Sequence, residues 1–171
     1  MTWTAPDITR TGGSLVAGER EMLTGYLAWQ RDTFLFKCQG LTGEQLALRP
    51  LPESNLSLLG LVRHLAKVER TWFRERFAGL PVPRLYSESP NKDADFDELD
   101  PARAEEDYGR LLEERRLADE VLAGATLDDT FVLDGEEFSL RLVLFHLVSE
   151  YARHNGHADL LREHIDGVTG G

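Results

Sequence analysis

Cysteine is almost absent: Cys38 stands alone among 171 residues, so neither an internal disulfide nor a multi-thiolate metal site is available. Long apolar runs are missing too, and nothing approaches the roughly 20 residues that span a bilayer as a helix. The opening MTWTAPDITRTGG lacks the basic start, apolar stretch and small-residue cleavage site of a secretory signal. Positive charge is scarce. Nineteen Lys and Arg against 30 Asp and Glu leave a net charge of −11, with no basic patch for phosphate backbones or an anionic membrane. These absences predict an acidic cytoplasmic protein with neither nucleic acid nor membrane as a partner. What is present, 42% hydrophobic residues, suits a single domain over residues 1–171 with a core of its own.

Hydrophobic spacing divides the chain into four long helices. Residues 1–13 read as an irregular leader with Pro6 and two glycines. A first helix is expected from Leu15 to Lys37, carried by Leu23, Tyr26, Leu27, Gln30 and Phe34 and stopped by Gly40; Cys38 falls near its end. A short helical turn fits Thr42 to Leu48, before Pro50 and Pro52. Ser57 reads as the N-cap of a second long helix with the stripe Leu58, Leu61, Leu65, Val68, Trp72 and Phe73, ending at Gly79. Residues 80–99, with three prolines and an acidic run, form a long crossover connection. Asp100-Pro101 starts a third helix reaching Leu122, with Tyr108, Leu111, Leu112, Ala118 and Val121 inward and the run EERR on the wet side. FVL and EEF around Asp134-Gly135 predict a β-hairpin, and the last helix runs from Ser139 to Gly167. The expected fold is all-α: a four-helix bundle with a long crossover and a short hairpin before the last helix.

Polar residues on apolar faces are the chemical signal. The last helix carries the stripe Leu140, Leu144, Leu147, Tyr151, Ala158, Leu161 and Ile165, with His154 near its centre line. At 100° per residue, Glu150 falls about 40° to one side of His154, and His157 and His146 about 60° and 80° to that same side. Upstream, His64 interrupts the apolar stripe of the second helix. Glu150 and His154 are four residues apart on one face and present two convergent ligands; His64 supplies a third from a facing helix. An ionised glutamate buried beside a histidine is costly unless something positive holds both, and a divalent cation does so. Two imidazoles and a carboxylate suit Zn²⁺, Ni²⁺ or Fe²⁺ and leave an open position. The plainer readings are a hydrogen-bonded core histidine at 64 and a simple ion pair at 150 and 154. His157 and His146 read as rim groups that orient a ligand or carry protons, and therefore as the catalytic candidates. Arg153 and Arg162 read as solvated.

The segments NLSLLGLVRHLAKVERTWF and SEYARHNGHADLLREHIDG resemble the DinB/YfiT-like group of metal-dependent bundles, most closely its actinobacterial DUF664 (mini-circle protein) branch, over nearly the whole chain. The resemblance implies a metal held by one histidine of the second helix and two ligands four residues apart on the last. His64 and His154 match the first and last of these. Glu150 stands where many relatives have histidine; mycothiol-dependent maleylpyruvate isomerase, a relative, pairs glutamate with histidine at that spacing. His157 stands where many relatives have glutamine.

The resemblance further implies a low-molecular-weight thiol such as mycothiol as cosubstrate, activated for S-transfer or isomerisation on an electrophile held between the 80–100 connection and the hairpin. Two other readings stay open: a non-enzymatic metal-binding or stress-response protein, and a metal-dependent hydrolase. A homodimer through an exposed helix face is a further expectation.

Overall fold

The computed structural model describes residues 2–86 and 90–170, so residues 87–89 of the expected crossover lie outside the described residues. The chain is mostly helical, and its four long helices form the expected bundle. Helix α1 (Glu19–Cys38) packs mainly against α6 (Leu140–Asp166), and α3 (Leu58–Glu69) against α5 (Ala104–Ala123). Contacts between α3 and α6 close the centre. One hydrophobic cluster runs through all four, with Phe34, Leu61, Leu65, Leu111, Leu147, Tyr151 and Leu161 fully buried.

Local chemistry accounts for most boundaries. Ser57 Oγ accepts from the Gly60 N–H at the start of α3, and Ser139 does the same for Leu142 at the start of α6. Gly167, at φ 77°, ends α6 in the left-handed conformation that glycine adopts without strain. The turn α2 (Gly43–Leu46) has a complete capping box between Thr42 and Gln45. Asp100 accepts from the Ala102 N–H and opens a 3₁₀ turn, Pro101–Arg103, that leads into α5. Strands β1 (Thr130–Leu133) and β2 (Glu136–Ser139) pair antiparallel with Leu133 opposite Glu136. Positive φ at both Asp134 and Gly135 makes the favoured two-residue hairpin turn. Phe131 stacks on Phe138 across the hairpin and meets Phe77 edge-on, which ties the hairpin to the end of the second long helix.

Several expectations are corrected. Helix α1 starts at Glu19 rather than Leu15: Leu15 and Val16 are solvent-exposed, and the acidic Glu19 and Glu21 favour the positive end of the helix dipole. Tyr26 and Leu112 face solvent, not the core. Beyond Glu69 the second long helix widens into a π-helical segment, Arg70–Phe77, held by the fully buried Phe73 and by Arg70 and Arg74, which both reach Glu114. Glu114 is therefore buried, so the EERR run is not a uniformly wet face. Arg162 is buried as well; its Nη1 donates to the carbonyls of Lys37 and Gln39 and so caps the end of α1. The crossover contains a one-turn helix, α4 (Ala94–Asp97), seated against α3.

Candidate metal centre

His64 stands in the middle of α3, with the fully buried Leu61 and Leu65 on either side of it in sequence, so the apolar stripe holds its ring at the inner margin of the bundle. Glu150 and His154 lie one turn apart on α6, whose inward stripe packs against α1 and α3. Each of the three contributes one donor atom, and these atoms lie within 4.8 Å of one another. The Nε2 of His64 and the Nε2 of His154 are each 3.2 Å from the same Glu150 Oε1. The two rings meet edge to face, 4.8 Å between centroids. The helices thus bring together the three residues singled out as ligands.

Donor chemistry fits a divalent ion. Bonds of about 2.0–2.2 Å at tetrahedral angles place neighbouring donors about 3.3 Å apart, close to the 3.2 Å of the two Glu150–histidine contacts, and all three donors lie within 4.8 Å. Proton counting agrees. His64 has a carboxylate oxygen at each nitrogen, Asp95 Oδ2 at 3.0 Å from Nδ1 and Glu150 Oε1 at 3.2 Å from Nε2. A neutral imidazole has one proton to give, so both contacts are satisfied only when His64 is protonated or when a cation replaces the proton at Nε2. Burial disfavours the charged ring, but the hydrogen bonds and charges of Asp95 and Glu150 outweigh it and raise the His64 pKa. Hydrogen bonds from His154 and His64 hold the Glu150 carboxyl well below the usual carboxylate range, so it is an anion ready for a ligand role.

His157 and His146 take different positions. His157 Nδ1 lies 3.2 Å from His154 Nδ1, on the side of that ring away from Nε2. It therefore supports His154 from behind and does not close the cluster as a fourth donor. His146 packs on Trp72 with 4.5 Å between ring centroids, and Arg76 covers the same indole. Burial is the first cause holding both of these histidines below their ordinary pKa, helped by nearby positive charge. Of the aromatics on the second long helix, Phe73 is core while Trp72 and Phe77 are half-buried.

Asp95 was not legible as a site residue. It sits in an acidic stretch, KDADFDELD, that reads as a solvated connection, yet its side chain is only 2% exposed. Only the folded position of α4 against α3 brings it to His64. A cleft of about 450 Å³ between the leader, α1 and α5 is lined partly by Arg20, Thr24, Arg31 and Asp119. Its arginines already bond to the Leu122 and Ala125 carbonyls and to Asp119, so it holds no comparable donor set.

A family model described as mycothiol-S-transferase, a DinB-like family, matches residues 22–167. Neither a curated protein nor a solved structure gives a match.

Proposed function

The chain belongs to the mycothiol-S-transferase family, and we propose that it works as a single domain that holds a divalent ion between His64, Glu150 and His154 and transfers the sulfur of mycothiol to a small electrophile. The observation that carries this reading is the shared contact of both Nε2 atoms with Glu150 Oε1 at 3.2 Å. When bound, such an ion holds a thiol as its thiolate, the reactive nucleophile, at neutral pH.

The chain's own groups do the rest. His64 and His154 would hold a divalent ion through Nε2 and Glu150 would add one negative charge, so the ligated centre would keep a net positive charge toward an arriving thiol. His157 steadies His154 by accepting its Nδ1–H at its own Nδ1, which leaves the His157 proton on Nε2; His146, one turn before Glu150, is the acceptor for the departing S–H proton. The catalytic reading is favoured over a closed structural ion site because His157 supports a ligand rather than completing the shell. Hydrolysis by an ion-bound water is the competing chemistry; it shows as turnover in the absence of any thiol. Zn²⁺, Ni²⁺ and Fe²⁺ all suit the donor set. We place the protein in the cytoplasm, with the proposed thiol cosubstrate; among the described residues no helix is long and apolar enough to cross a membrane.

The test is S-conjugation of mycothiol to monochlorobimane by metal-loaded protein, with bacillithiol and glutathione alongside. Turnover that needs both metal and His154 is the expected result. Metal-loaded protein that turns over none of the three thiols contradicts the proposal.

A further inference from the structure

The crossover between α3 and α5 delivers one carboxylate to the proposed centre and fixes it there. Asp95 Oδ2 is 3.0 Å from His64 Nδ1, and its Oδ1 accepts from Lys67 Nζ at 3.0 Å. Backbone contacts lock the segment that carries it. Arg63, one residue before His64, donates from Nε to the Asp95 carbonyl at 3.1 Å and from Nη2 to the Ala94 carbonyl at 3.0 Å. The same guanidinium pairs with Asp107 of α5 at 3.1 Å and lies over the Tyr86 ring. Next to Asp95, the Phe96 ring rests against the His64 ring, 4.9 Å between centroids. Phe96 comes this close because Gly60, one turn before His64, has no side chain; a Cβ there would lie 3.1 Å from Phe96 Cδ1.

We propose that Asp95 is a positioning residue of the centre: it accepts a hydrogen bond from His64 Nδ1–H, fixes that tautomer, and so aims the Nε2 lone pair at the point where Glu150 and His154 converge. This rests on the reading of those three residues as ion ligands. A carboxylate behind a ligating imidazole fixes ring orientation and raises its basicity, and losing such a partner costs about 10–100-fold in metal affinity. The second contact, from Lys67 to Oδ1, holds the carboxylate in place behind the ring. The two imidazoles are unequal as a result: His64 is backed by a buried anion, His154 by the neutral ring of His157. His64 is the stronger donor of the pair.

The experiment is a zinc titration against a competing chelator for the parent, Asp95→Asn and Asp95→Ala, with ¹⁵N spectra of the histidine rings. Asparagine keeps the shape and an acceptor oxygen, so one variant remains informative if alanine disturbs folding. Zinc affinity is expected to fall about 10–100-fold in Asp95→Ala and by less in Asp95→Asn, with one equivalent still bound at saturation. The parent's His64 is expected to show a proton on Nδ1 in the zinc-loaded state, with both ring nitrogens sharing it in zinc-free Asp95→Ala. Parent-like zinc affinity in both variants overturns the role of Asp95, even if their melting temperatures drop. Absence of zinc binding in the parent overturns the ligand reading beneath it instead.

Discussion

Arg31 of α1 and Glu69 of α3 form a two-pronged ion pair sealed inside the bundle, with Nε to Oε1 at 2.7 Å and Nη2 to Oε2 at 2.6 Å. The Tyr151 hydroxyl of α6 donates to the same Oε1 at 2.8 Å, and Asp119 of α5 takes the remaining arm of Arg31. One polar cluster therefore joins all four long helices. Breaking it from one side strands a buried charge. We expect Glu69→Ala to lose about 3–5 kcal/mol of stability in urea unfolding. Replacing both Arg31 and Glu69 by apolar residues of similar volume is expected to recover much of that loss.

Asp32 gives the stability a pH dependence. Its partial burial pushes the pKa up, but hydrogen bonds from Arg115 and Thr11 win and hold it below the ordinary value. A carboxyl depressed in the folded state binds protons more weakly there than in the unfolded chain. Its stabilisation is thus present above the unfolded pKa, about 3.9, and fades as pH falls through the lower folded value. Asp32→Asn is expected to melt below the parent at pH 7, by a margin that narrows toward pH 2. An equal gap at both pH values goes against this account.

Cys38 is fully buried at the end of α1, and burial pushes its thiol pKa up to about 12 against the opposing effect of Arg162. The thiolate is the reactive form. We expect negligible reaction with a disulfide reagent at pH 8 in the native state and one equivalent after unfolding. Fast native labelling contradicts a sealed cysteine.

Two glycines are expected to respond to alanine in opposite ways. A Cβ at Gly43 would lie 2.2 Å from the Pro101 carbonyl oxygen, so the α2 turn and the start of α5 must separate. A loss of about 1–3 kcal/mol is expected, as for other overpacked contacts. Gly109 lies exposed within α5 with open space around it. There alanine removes the helix penalty of glycine and is expected to add about 0.5–1 kcal/mol. Chemical denaturation of the two variants checks both signs.

Elements with a local cause could be read from the sequence. Ser57 and Ser139 cap, Asp134-Gly135 turns, Gly40 and Gly167 stop, and a 3.6-residue period places Leu61, Leu147 and Leu161 inside. The convergence of Glu150 and His154 could be read for the same reason, because they share a helix face, and His64 stood out as the break in the apolar stripe of the second helix. Groups whose environment comes from a distant element were not. Arg162 looks solvated until the end of α1 presents its carbonyls, and Glu114 looks wet until Arg70 and Arg74 arrive from the π-helical segment. Asp95 belongs with them: nothing in its local pattern separates a carboxylate behind a histidine from one facing water. The π-helix itself has no periodic signature, since the same apolar residues serve either winding.

The most direct test of the centre is elemental analysis of the untagged protein beside His64→Ala, His154→Ala and, as a control on the same helix, His146→Ala. About one equivalent of transition metal in the parent and in His146→Ala, lost in His64→Ala and in His154→Ala, is the expected result. A parent that carries no metal and gains no thermal stability from added Zn²⁺, Ni²⁺ or Fe²⁺ would contradict it and leave His64, Glu150 and His154 as a hydrogen-bonded chain between two helices.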